Sequence, residues 1–97
     1  MLSSQVLISV TDSHSIINNQ GMRINPEKDI SIGDHVWIGT RAVILKGVII
    51  GNNCVIAACS VITKNVDENT CIGGIPGKLL KANINWTRER IANDVNN

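Results

Sequence analysis

The sequence predicts an all-β fold: a solenoid of short parallel strands wound in triangular coils, with one loop thrown out and a short helix at its C-terminal end. Isoleucine recurs every six residues, at Ile32, Ile38, Ile44, Ile50, Ile56 and Ile62, a period that fits neither a helix nor a plain strand. Two residues before each stands Ile30, Val36, Ala42, Val48, Cys54 or Ser60, apolar or small in every case. The 97 residues are 43% hydrophobic but only 2% aromatic, with Trp37 and Trp86 and no Phe or Tyr, so the core is a stack of aliphatic side chains.

A six-residue unit supplies a strand and a corner. The large aliphatic and the small residue two places earlier point inward, and the residue between them points out. Three units close one eighteen-residue coil, so residues 30–47 and 48–65 form two full coils. Ile32 then lies under Ile50, Ile38 under Ile56 and Ile44 under Ile62. Each buried isoleucine contributes about 1.5–3 kcal/mol.

Taken in order, residues 1–12 form a partial coil in which Val6 and Ile8 keep the two-residue relation. Residues 13–29 are polar, carry Gly21 and Pro26, and read as an extruded loop. Coils occupy 30–80. After Lys64 the isoleucine expected at 68 is replaced by Glu68, and the chain turns rich in Gly and Pro, a partial last coil breaking into a turn. Over 84–95, Asn85 as N-cap with Trp86, Arg90 and Ile91 at helical spacing predicts a capping helix. The whole is one domain, 1–97. The outward positions Trp37, Val43, Ile49, Val55 and Val61 are all apolar, which predicts a subunit interface.

A formal charge of +1 and the absence of a basic run among aromatics argue against nucleic acid. The N-terminus has an early Asp and no basic region, so neither a leader nor membrane insertion is expected. Cys54, Cys59 and Cys71 lack paired spacing and read as reduced thiols of a cytoplasmic protein, with no metal site.

Together, "TDSH", "ISIGDHVWIGTRAVILKGVIIGNNCVIAACSVITKNV" and "GGIPGKLLK" make the chain similar to the hexapeptide-repeat acyltransferases, most of all the sugar O-acetyltransferases of galactoside, maltose and capsule or lipopolysaccharide type. The resemblance covers most of the chain. It implies a left-handed parallel β-helix, where general chain chemistry alone favours right-handed crossovers. It also implies a cytoplasmic homotrimer that transfers acetyl from acetyl-CoA to a saccharide hydroxyl. By the same resemblance His14 is the general base, a role suited to imidazole because its usual pKa near 6.5 keeps a neutral base available. Asp12 would orient it or meet the acceptor. Trp37, Gly39, Ala57, Ala58 and Thr63 would surround the pantetheine arm. Lys64, Lys78 and Lys81 would meet the nucleotide phosphates as point charges, the last two standing where the family often has arginine. Residues 15–29 would form an acceptor lid, with Met22 and Arg23 near its tip against substrate. His35, in the corner "GDH", reads as a surface turn residue.

Each residue also has a plainer reading: His14 as a polar residue at the mouth of a loop, the lysines as solvated surface, "GIPGK" as the closing turn. The chain is expected to be a short or C-terminal form, because few residues precede Asp12 where family members carry further coils. A catalytically incomplete trimeric scaffold or relic, and an N-acetyltransferase acting on an amine, are the alternatives. A zinc carbonic anhydrase of this fold needs three histidines, and only His14 and His35 are present. An ice-binding solenoid would show threonine ladders on its outer face.

Overall fold

The computed structural model describes residues 1–2, 5–9, 16–26 and 28–91. Among these the chain is all-β. Its strands are β1 (Leu7–Ile8), β2 (Ser31–Ile32), β3 (Trp37–Ile38), β4 (Val43–Ile44), β5 (Ile49–Ile50), β6 (Val55–Ile56), β7 (Val61–Ile62), β8 (Thr70–Gly73) and β9 (Lys78–Ala82). Consecutive strands do not pair with each other until β8 and β9. They are dealt in rotation onto three sheets, β1-β4-β7, β2-β5 and β3-β6-β8-β9.

The rungs are parallel and eighteen residues apart. Ile32 pairs with Ile50, Ile38 with Ile56 and Ile44 with Ile62, as the hexads require. Ile38, Ile44, Ile50, Ile56 and Ile62 are at most 1% exposed, and Ala42, Val48, Cys54 and Ser60 fill the spaces beside them. Two-residue strands survive because successive coils share backbone bonds along each sheet.

Two departures from the eighteen-residue period shape the rest. Leu7 pairs with Val43 and Leu2 bridges Ile38, each thirty-six positions on, so one coil's worth of chain is extruded between them. Part of that excursion is a small hairpin: Ile17 bridges Arg23, and Asn18 Oδ1 accepts from Gln20 N and Met22 N to hold the turn. At the other end Val66 bridges Ile50, and Cys71 and Ile72 pair with Val55 and Ile56, each sixteen positions on. The final coil is therefore two residues short. The repeat is not lost at Glu68: buried Val66 and partly buried Ile72 take the inward places, a correction to the sequence reading. Residues 74–77 then turn the chain back, with a cis Ile75–Pro76 bond, so that β9 runs antiparallel to β8.

The expected capping helix over 84–95 is not formed through Ile91, the last described residue. The Asn85 side chain accepts from the adjacent Trp86 N instead of an amide one turn on, so it does not cap. Ile84 N donates to Asn69 O and Asn69 Nδ2 donates to Ile84 O, which holds the tail extended along a corner.

Gly39 and Gly51 follow their isoleucines for a steric reason. A Cβ on Gly39 would lie 2.6 Å from Ala58 N, and one on Gly51 2.6 Å from Glu68 N, in each case the backbone of the next coil. Gly39→Ala should lower stability by about 1–3 kcal/mol in urea unfolding followed by circular dichroism. In the same assay Ile44→Ala should cost about 2–5 kcal/mol and the exposed Ile91→Ala less than about 0.5. Comparable losses for the two isoleucines would contradict the assignment of the core.

Candidate functional site

The corners of the stack carry the candidate site. One corner is turned by residues in the left-handed region, His35, Asn53 and Asn69, with φ of 56°, 59° and 57°. The next is turned by Arg41 and Cys59, with φ of 62° and 60°. Asparagine accepts this conformation more readily than most residues, which is why "GNN" and "EN" stand where coils turn. The sheet β3-β6-β8-β9 lies between these two corners.

At the Arg41–Cys59 edge, Gly39 N donates to Ile56 O and Ala57 N to Ile72 O, both at 2.8 Å. Gly39, Ala57 and Gly73 thus occupy one position in three successive coils, a row of small residues along the axis in which Gly73 is covered by the Leu80 side chain. Gly39 is buried beneath the Ala58 backbone, Ala57 is half-buried, and Ala58 is exposed. Thr63 is exposed just past β7.

The lysines gather toward the far end of the stack. Lys78 pairs with Gly73, and Lys81 with Cys71, so Lys81 ends the row Trp37–Val55–Cys71–Lys81. Lys64 and Lys78 line one cleft of about 430 Å³ together with Asp67 and Thr70. The Thr70 hydroxyl donates to Asp67 O at 2.7 Å, which fixes that wall. The structure therefore joins Lys64 to Lys78, and Gly39 to Ala57 and Ala58, and sets Trp37 and Lys81 at opposite ends of one sheet.

Asp12 and His14 lie outside the described residues. Met22 and Arg23 stand exposed on the excursion hairpin, where Arg23 Nε donates to Oδ1 of the buried Asn25 at 3.2 Å. The three cysteines are free: Cys54 is buried with its thiol on Asp67 O, Cys59 is exposed, and Cys71 is half-buried. Among the described residues no three His, Cys, Asp or Glu side chains are grouped to hold a metal ion, and no helix is long and apolar enough to cross a membrane.

Sequence reasoning missed one constellation. The rings of His35 and Trp86 stack with centroids 4.0 Å apart and planes 6° apart, and Trp86 Nε1 donates to His35 O at 2.8 Å. His35 Nδ1 lies 3.1 Å from Asn53 Oδ1. The second tryptophan, Trp37, sits 6.0 Å from Trp86 at a tilt of 48°. Together with Met1, Thr87 and Arg88 they line a second cleft of about 400 Å³. The available signal was a chain almost free of aromatics that places one tryptophan in a polar tail. Helical spacing was the wrong ruler for that tail.

Residues 29–64 match the family described as bacterial transferase hexapeptide (six repeats). The chain is 38% identical over 89 residues to the polysialic acid O-acetyltransferase of Escherichia coli O1:K1, covering 91% of this chain and 29% of that protein. It is 37% identical over 84 residues to the galactoside O-acetyltransferase of Escherichia coli K12, covering 84% of this chain and 40% of that one. Among solved structures, the polysialic acid O-acetyltransferase OatWY matches with a TM-score of 0.89 and 40% identity, over 97% of this chain and 46% of that one. A hexapeptide-repeat-containing acetyltransferase of Vibrio cholerae O1 biovar eltor, solved with acetyl coenzyme A, matches with a TM-score of 0.64 and 32% identity, over 81% and 46%. This chain thus spans less than half the length of each of these proteins. The regular hexads, the eighteen-residue rungs they build and these likenesses agree: residues 29–64 carry the repeat of the bacterial transferase hexapeptide family.

Proposed function

We propose that the chain is the donor-binding part of an acetyl-CoA-dependent O-acetyltransferase acting on a saccharide hydroxyl, built as a left-handed parallel β-helix and working as a cytoplasmic homotrimer. The observation that carries this reading is the row of small residues at the Arg41–Cys59 edge, half-buried at Ala57 and exposed at Ala58, running toward a cleft that holds Lys64 and Lys78. A pantetheine arm needs a smooth, extended surface. A nucleotide diphosphate needs cations at one end of it. The residues present fit both needs, with Ala58 and Thr63 exposed beside the track, Trp37 on the adjoining strand and Lys81 on β9. The exposed Ile49, and half-buried Val43, Val55 and Val61, favour the trimer, since an apolar outer surface calls for a partner.

In this reading residues 1–97 are one domain, with 13–29 extruded toward the acceptor and Met22 and Arg23 at its tip. His14 takes the proton of the acceptor hydroxyl as that oxygen attacks the thioester carbon of acetyl-CoA. The carbon–sulfur bond breaks, acetyl stays on the acceptor oxygen, and the proton passes to the departing CoA thiolate. Asp12 holds the ring of His14 in position.

Calorimetry with CoA and acetyl-CoA, beside the mass in solution, tests the donor site. A trimer should bind both saturably, and replacing Lys64 and Lys78 together by alanine should weaken binding about tenfold or more. His14→Ala should keep donor affinity while lowering turnover by about 10²–10⁴-fold on an active acceptor. A folded trimer that ignores CoA would overturn the reading.

A further inference from the structure

We propose that the cleft between Trp37 and Trp86 is a subsite for an acidic saccharide residue, with Arg88 as its carboxylate partner. This rests on the saccharide reading above, but on residues that reading does not use apart from Trp37.

The shape of the cleft selects the ligand. Trp86 has one face covered by His35, stacked at 4.0 Å and nearly parallel, so a flat ring would have to lie on what remains. Trp37 stands 6.0 Å off at 48°, and Trp37 is 39% exposed. No planar group can stack on two surfaces so inclined. A puckered pyranose can, because it turns one C–H face to the first indole and an edge to the second. The cleft, at about 400 Å³, is of the size of small-ligand sites.

Its polar groups are few and convergent. The Thr87 hydroxyl oxygen accepts from Glu89 N at 3.1 Å, which leaves its proton to donate to a sugar oxygen. Among the described residues Arg88 is the one charged side chain on the lining, and it is cationic. A guanidinium offers paired donors that match a carboxylate. Apolar walls with a cationic side chain favour an acidic sugar over a neutral one, and disfavour a bare anion with no face to stack.

The tail that brings these groups is itself held. Asn69 exchanges two hydrogen bonds with Ile84, and Trp86 Nε1 is tied to His35 O, so Trp86, Thr87 and Arg88 are presented by a strap fixed at two points. Trp37 lies on β3, the strand that leads into Gly39. The subsite would therefore adjoin the proposed donor track, as direct transfer between two bound substrates demands.

Trp37 and Trp86 are the only tryptophans, so intrinsic fluorescence reports on this cleft, with the CoA-saturated protein taken as its own baseline because Trp37 also borders the proposed donor track. The folded chain is titrated with a short α-linked sialic acid oligomer and with a maltose oligomer of equal length, each with and without saturating CoA. The sialic acid oligomer should change the emission saturably, about tenfold more tightly than the neutral one, and should still do so with CoA bound. Arg88→Ala should remove that preference, and Arg88→Lys should restore part of it. Equal response to both oligomers, no effect of Arg88→Ala, or loss of the signal on adding CoA would each overturn the proposal. CoA binding by calorimetry with no saccharide response would overturn it while leaving the donor site standing. A saccharide response without CoA binding would support the subsite and sink the donor reading.

Discussion

Everything in this chain hangs on one constraint: an inward side chain must land on its counterpart one coil away. The strands are two residues long for the most part, far too short to be stable as an isolated sheet. They persist because Ile32, Ile38 and Ile44 sit in register with Ile50, Ile56 and Ile62, and each rung of backbone bonds is shared between coils. Where the spacing changes, the chain adjusts by whole units. An eighteen-residue excursion leaves the ladder intact above it, because it returns to the same corner. A two-residue deletion before Val66 is absorbed in the turn, so Val66 and Ile72 still point inward.

The same constraint dictates the corners. Coils packed one strand-spacing apart leave no room for a Cβ where the next backbone crosses, which is the reason for Gly39 and Gly51. The turns need left-handed residues, and Asn53 and Asn69 serve both as turns and as fixing points. Asn53 faces His35, and Asn69 holds Ile84. A feature required for stacking thus becomes the rail on which the C-terminal tail is laid.

Function, as proposed, follows from what stacking leaves on the outside. Small residues repeated at one corner make a track, and the antiparallel return of β9 brings Lys78 beside Lys64 at its end. At the other edge of the same sheet, Trp37 meets Trp86. Trp37 therefore stands between a surface suited to an extended thioester donor and a cleft suited to a sugar ring. Most of this chain is scaffold, and its chemistry is confined to edges and corners.

The sequence by itself determined the coil length, the inward residues and the pairing of each isoleucine, because a six-residue period with one large and one small inward position, closed by three strands, sets each residue under the one eighteen places on. It also marked "GIPGK" as a closing turn, which residues 74–77 prove to be, and His35 as a turn residue, which its φ of 56° bears out. Tertiary structure decided the rest. Nothing local distinguishes a lost repeat from a coil shortened by two residues, so Glu68 misled where only the partner Ile50 could show that Val66 takes its place. Nothing local distinguishes a short helix from a strap either. Residues 84–91 are weakly helical in spacing, and the deciding bonds come from Asn69 and His35, fifteen and fifty-one residues away. Where a segment's own propensity is small, the long-range partner chooses its form, and here that choice created the aromatic cleft.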